Sequence, residues 1–216
     1  VVALSIDNST CELMVNESFG GANMSPLTGN VITTLTCSEN VFKIGTFYGG
    51  SNQASIDGDV TLNVYGGRYD NIFGGSKGVA AAAAHGEPGD PDYTPAVTAV
   101  SADITGNVTL NLYGGTIDEN AFGGSNINGS IDGKITVNVL NNGGSCALSV
   151  AGNIYGAGNV TPYTPTYDTE LISPVVNVIH GTVANVFGGA KGETATVTAS
   201  PQVNIGYDAT TMGDLE

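Results

Sequence analysis

The chain has 216 residues, with 20 acidic against five basic side chains, a formal charge of −15, 32 glycines and only 12 % charged residues. The five cations, Lys43, Arg68, Lys77, Lys134 and Lys191, stand singly along the sequence, so there is no basic patch for nucleic acid or an anionic membrane surface. Low charge with abundant Gly, Asn, Thr and Val argues against an intracellular helical enzyme, and 41 % hydrophobic residues recurring at strand period argue against disorder.

Residues 1–18 read as an N-terminal cap or partial coil. Phe19-Gly20-Gly21 then opens a motif that returns as Tyr48-Gly49-Gly50, Phe73-Gly74-Gly75, Phe122-Gly123-Gly124, Tyr155-Gly156-Ala157 and Phe187-Gly188-Gly189. Each return brings a short strand phrase: 30–35, then Val60–Val64, Val108–Leu112, Ile135–Val139, Val176–Val178 and Val203–Ile205. In Val60–Val64 the alternation is strict, with Val60, Leu62 and Val64 on one side and Thr61 and Asn63 on the other. Tyr65-Gly66-Gly67 and Tyr113-Gly114-Gly115 follow as turns that need positive φ or close backbone approach. A second strand comes next, at 69–73 and 117–122, before the aromatic-glycine corner.

The marker asparagines Asn63, Asn111, Asn138, Asn177 and Asn204 lie 48, 27, 39 and 27 residues apart, which gives a unit of about 27 residues with two insertions. Two strands and two glycine corners per unit describe one coil of a parallel β-helix, with a third strand expected before the next valine phrase. No unit buries its apolar side alone, so the coils must stack. The expected architecture is all-β: one right-handed parallel β-helix of about six coils, a single domain over 1–216, with the hand following the crossover rule. A hairpin sandwich is the competing fold, for which Asp57-Gly58 and Asp132-Gly133 offer turns. A second asparagine series, Asn71, Asn120, Asn153 and Asn185, precedes the aromatic by two residues. It either bonds from coil to coil or occupies left-handed turns.

The insertions, about 77–103 and 159–173, leave from the same corner and are expected to project along one edge, where loops form binding surfaces. Tyr93, Tyr163 and Tyr167 are the side chains there that suit stacking on a sugar ring or anchoring a protein partner. The His85, Glu87, Asp90 and Asp92 cluster is proline-rich and lacks fixed ligand geometry. Asp57 and Asp132 share a phrase, but Thr105 takes their slot on the coil between. Asp70 and Asp118 share another slot on adjacent coils and would serve catalysis, chelate calcium or stay solvated. No motif demands a cofactor; calcium is the one ion considered, and its glycine-rich nonapeptide is absent. The outward Thr61/Asn63, Thr109/Asn111 and Thr136/Asn138 pairs make a polar strip that would also suit water ordering, but it degrades in later coils.

Cys11 and Cys37 lie one unit apart, within bridging reach on neighbouring coils, and Cys146 is left over. No apolar run approaches the roughly 18 residues of a membrane helix. Val1 in place of Met, and a strand phrase close to Glu216, read as a piece of a longer protein.

The phrase running from Gly58 to Gly67, followed by Asn71 to Gly75, resembles the glycine-rich β-strand repeats of large, adhesin-like bacterial cell-surface proteins, over about residues 19–206. Ala157 in place of a glycine, and Pro174 and Pro201 near strand starts, depart from that pattern. The resemblance implies an extracellular stalk, scaffold or adhesion module that binds a glycan or a host or bacterial surface protein, and it carries no catalytic residues. End-to-end or lateral self-association is a further expectation. The alternative is a carbohydrate-active enzyme, a polysaccharide lyase or glycoside hydrolase, using acidic residues on the coil face.

Overall fold

The computed structural model describes residues 2–6, 14–36, 42–140, 146–165 and 172–206. The described residues contain no helix. Their strands are β1 (Val2–Ile6), β2 (Met14–Phe19), β3 (Leu27–Thr28), β4 (Val31–Leu35), β5 (Lys43–Tyr48), β6 (Ile56–Asp57), β7 (Val60–Val64), β8 (Arg68–Phe73), β9 (Val108–Leu112), β10 (Gly115–Phe122), β11 (Ile135–Val139), β12 (Leu148–Tyr155), β13 (Val175–Val178), β14 (Thr182–Phe187) and β15 (Gln202–Ile205). Each pairs only with its equivalent in the coil before or after, always in parallel. One face runs β1-β4-β7-β9-β11-β13-β15, a second runs β2-β5-β8-β10-β12-β14, and β3-β6 begin a third. The third face continues through parallel bridges from Ile56 to Ile104 and from Ile104 to Ile131. The fold is a parallel β-solenoid of about six turns, and the antiparallel sandwich is excluded.

The valine phrases explain the register. Val60 pairs with Val108 and Val108 with Ile135, while Leu62, Leu110, Val137 and Val176 form the next column. These side chains are fully buried in the described core, and burying each contributes about 1.5–3 kcal/mol. A one-residue slip would turn every one of them to solvent.

The two glycine corners work by different physics. After the first strand, Gly67 (φ 90°) and Gly115 (φ 105°) adopt left-handed backbone, which costs a residue with a Cβ about 1–2 kcal/mol. At the aromatic corner the need is space. A methyl group added to Gly74 would lie 2.6 Å from the carbonyl oxygen of Gly123 and 2.9 Å from Val108 Cγ1.

Both asparagine series are hydrogen-bonded ladders. On the first face Asn111 Nδ2 donates to Asn63 Oδ1, Asn138 to Asn111, Asn177 to Asn138 and Asn204 to Asn177, each at 2.8 Å. On the second face Asn120, Asn153 and Asn185 donate in turn to Asn71, Asn120 and Asn153. No described residue other than glycine has positive φ, so the left-handed-turn role for these asparagines does not hold. At the aromatic corner the Ala22, Ser51 and Ser76 amides donate to the hydroxyls of Ser51, Ser76 and Ser125.

The aromatic residues form a third kind of column. Phe19, Tyr48, Phe73, Phe122, Tyr155 and Phe187 stack in file, with ring centroids 4.5–5.1 Å apart and planes within 13° of parallel. Ile72 belongs to the central core and the adjacent Phe73 to a separate cluster. Successive strand side chains point to opposite faces, so the rings lie on the outside of the second face. The inner four, Tyr48, Phe73, Phe122 and Tyr155, are buried there all the same: Tyr48 Oη accepts a hydrogen bond from Asn126 Nδ2 at 2.8 Å, and Lys191 Nζ sits 6.0 Å from the Phe122 ring centre.

Cys146 is disulfide-bonded. The expected Cys11–Cys37 pairing falls on cysteines that lie outside the described residues. No described helix is long and apolar enough to cross a membrane.

Candidate functional site

Two places could contact another molecule: a patch of charges on the second face and the first insertion. The patch begins with register. Lys43 on β5 pairs with Arg68 on β8, and Arg68 with Thr116 on β10, so cations separated in sequence become neighbours. A β-bulge between Ile117 and Asn120 sets Asp118 and Glu119 opposite the single residue Asp70. Lys43 Nζ lies 2.9 Å from Asp70 Oδ1 and 4.0 Å from Asp118 Oδ2, and Arg68 Nε lies 2.8 Å from Asp118 Oδ2. The Asp118 carboxylate, as hydrogen-bond acceptor and as charge, raises the Arg68 pKa. Glu119 accepts a hydrogen bond from Asn71 Nδ2 at 2.7 Å.

Asp70 and Asp118 are therefore together, as the repeat implied, but each already holds a cation. An exposed ion-pair cluster of this kind contributes little to stability. It also leaves neither carboxylate unpartnered for a sugar or a calcium ion. Sequence reading missed both the matched Lys43 and Arg68 slots and the bulge that brings in Glu119. Lys77 also has a partner, since its Nζ lies 2.7 Å from Glu17 Oε2. Among the described residues no group of three or more His, Cys, Asp or Glu side chains is placed to hold a metal ion.

Asp57, Asp59 and Asp103 serve the coil edges. Asp57 Oδ1 accepts from Thr105 Oγ1 at 3.0 Å, and Asp59 Oδ1 accepts from the Asn107 amide at 2.7 Å. For Asp103, burial alone would raise the pKa, but hydrogen bonds from Ser101 Oγ, the Ser130 amide and Ser130 Oγ outweigh it and the net shift is downward.

The insertions differ from each other. Tyr163, expected on a recognition edge, is 2 % exposed. Its amide donates to Thr196 O, its carbonyl accepts from the Thr198 amide, and the single proton of its hydroxyl is shared between Gly133 O and Ile172 O, both within hydrogen-bond distance. It is a core residue of the third face, and its ring is not available to a ligand. Tyr167 lies outside the described residues. Tyr93 is half-buried near the tip of the first insertion.

That first insertion is an antiparallel arm. Val79 bridges Val100, Ala82 bridges Val97 and His85 bridges Thr94, each pair exchanging two backbone hydrogen bonds of 2.8–3.0 Å. Asn128 Nδ2 ties the base to the solenoid by donating to Val79 O. From Ala80 to Thr98 every residue but Tyr93 is exposed. A separate shallow depression, lined by Ala147, Leu148, Ile179, His180, Gly181 and Thr182, has His180 as its one titratable side chain.

Buried phenols set the alkaline limit of the fold. Burial pushes the Tyr48 pKa up to about 12, against the hydrogen bond from Asn126, and likewise lifts Tyr163 to about 12. Such a tyrosine keeps its proton in the folded state when the unfolded chain, titrating near 10, has lost it. The stabilisation is complete below about pH 10 and is lost progressively as pH rises from there to 12. Urea midpoints should fall steeply over that interval, by about tenfold in the folding equilibrium per pH unit per tyrosine. Tyr48→Phe and Tyr163→Phe should each flatten the fall, and an unchanged slope in both would remove these phenols as its cause.

Compared with known protein families, with curated proteins and with solved structures, the chain matches none.

Proposed function

We propose that this chain is a non-catalytic structural and adhesive module of a bacterial cell-surface protein, which holds the 79–100 arm out from a rigid solenoid to meet a glycan or protein. The observation that carries the reading is the division of polar groups. On the repeating faces, asparagine, serine and paired charges are engaged from coil to coil, whereas, among the described residues, the arm projects, breaks the repeat and leaves its surface uncovered. The disulfide at Cys146 fits an oxidising, extracellular setting.

The test removes residues 80–99 and joins Val79 to Val100 through a two-residue turn. Exposed loop tips tolerate such changes, so the unfolding temperature should move by only a few degrees, while binding to an array of glycans and extracellular proteins should disappear. Unfolding of the shortened chain would make the arm structural. Release of reducing sugar from a polysaccharide panel, abolished by Asp70→Asn and Asp118→Asn, would replace the proposal with the carbohydrate-active enzyme.

A further inference from the structure

The arm's hydrogen bonds have an unusual interval. In a pleated antiparallel pair, residues that exchange both backbone bonds recur every second position. Here they recur every third: 79, 82 and 85 on one side, 100, 97 and 94 on the other. A three-residue interval is the period of the polyproline II helix, which makes no hydrogen bonds of its own and turns its backbone groups outward in three directions. One direction is used inside the arm. Among the described residues, the backbone N–H groups of Ala80, Ala81, Ala83, Ala84, Ala96 and Ala99 meet no protein acceptor, and all six residues are exposed.

Small side chains allow another backbone to come close to those donors. Past the alanines, the tip carries Glu87, Asp90 and Asp92, and no Lys or Arg lies between Lys77 and Lys134. A basic partner is therefore attracted, whereas a second copy of the arm would bring like charges together.

We propose that the arm docks an extended, polyproline-II-like peptide segment of small residues flanked by basic ones, main chain against main chain. This rests on the adhesive reading above and narrows its partner to polypeptide. Recognition by an added extended chain is a general mode in which the backbone supplies affinity and the flanking side chains supply selectivity.

The experiment titrates the intact chain into a labelled, lysine-flanked Pro-Ala-Ala repeat of about twelve residues, four polyproline turns, and reads fluorescence anisotropy. Saturable binding is expected, with none to the glutamate-flanked peptide. Ala81→Pro with Ala84→Pro removes two free donors, keeps the bridged positions and suits an extended backbone; it should weaken binding by about tenfold or more, the equivalent of 1.4 kcal/mol. Glu87→Gln, Asp90→Asn and Asp92→Asn together should weaken it and flatten its salt dependence. No saturable binding to the unaltered chain, binding indifferent to both sets of changes, or arm-dependent dimerisation in sedimentation would each overturn the inference. Arm-dependent capture of a glycan without peptide binding would overturn it while leaving the adhesive reading standing. Loss of both would end the two together.

Discussion

Phe122→Ala should cost about 3–5 kcal/mol of folding free energy, the range for removing a buried aromatic side chain. Phe122 is 1 % exposed, and its ring lies between those of Phe73 at 4.5 Å and Tyr155 at 5.0 Å. The coils are fixed at their spacing by three faces of backbone pairing, so the neighbouring rings cannot close the gap. Phe187 ends the same column and is 47 % exposed, so Phe187→Ala should cost far less. Denaturant melts of the two variants check this directly. A Phe122 variant within about 1 kcal/mol of the parent, well below the range for removing a buried aromatic ring, would mean that the column does not behave as a packed core.

Gly74→Ala should cost about 1–3 kcal/mol or more, as overpacking does when the obstructing atoms belong to backbone. The added methyl meets Gly123 O and Val108 Cγ1 at 2.6 and 2.9 Å, and relieving that contact means opening the space between two coils. Gly189 occupies the same motif, yet a methyl there meets nothing within 4 Å, so Gly189→Ala should be nearly silent. Equal melting temperatures for the two variants would contradict close packing at this corner.

The contrast between Gly74 and Gly189 marks what a one-dimensional reading reaches. The repeat announced the coils because each valine phrase must bury the same alternate positions, and the equivalence of Asn63, Asn111 and Asn138 followed from that alone. For the second series, Asn71, Asn120, Asn153 and Asn185, coil-to-coil bonds were one of two options, decided by the absence of left-handed asparagines among the described residues. The charge patch was half visible. Asp70 and Asp118 share a slot in the repeat, but their partners, Lys43 and Arg68, each come from the coil before, and Glu119 is set beside them by a bulge that no composition rule announces. Tyr163 was misplaced because its insertion was taken to project. It packs instead against Thr196 and Val197, more than 30 residues later, a contact that local pattern cannot reveal. The alanine-rich insertion was recognised as a departure from the repeat, but its three-residue interval arises only when two strands face each other.

The stacking direction has a mechanical consequence. Inter-strand hydrogen bonds run across the strands, and here the strands lie across the solenoid, so those bonds point along its long axis. Tension applied to the two ends would load the turns in series, each resisting through all its faces at once. Such a spring yields one winding at a time, and each winding that lets go pays out about 27 residues of slack, close to 90 Å of extended chain.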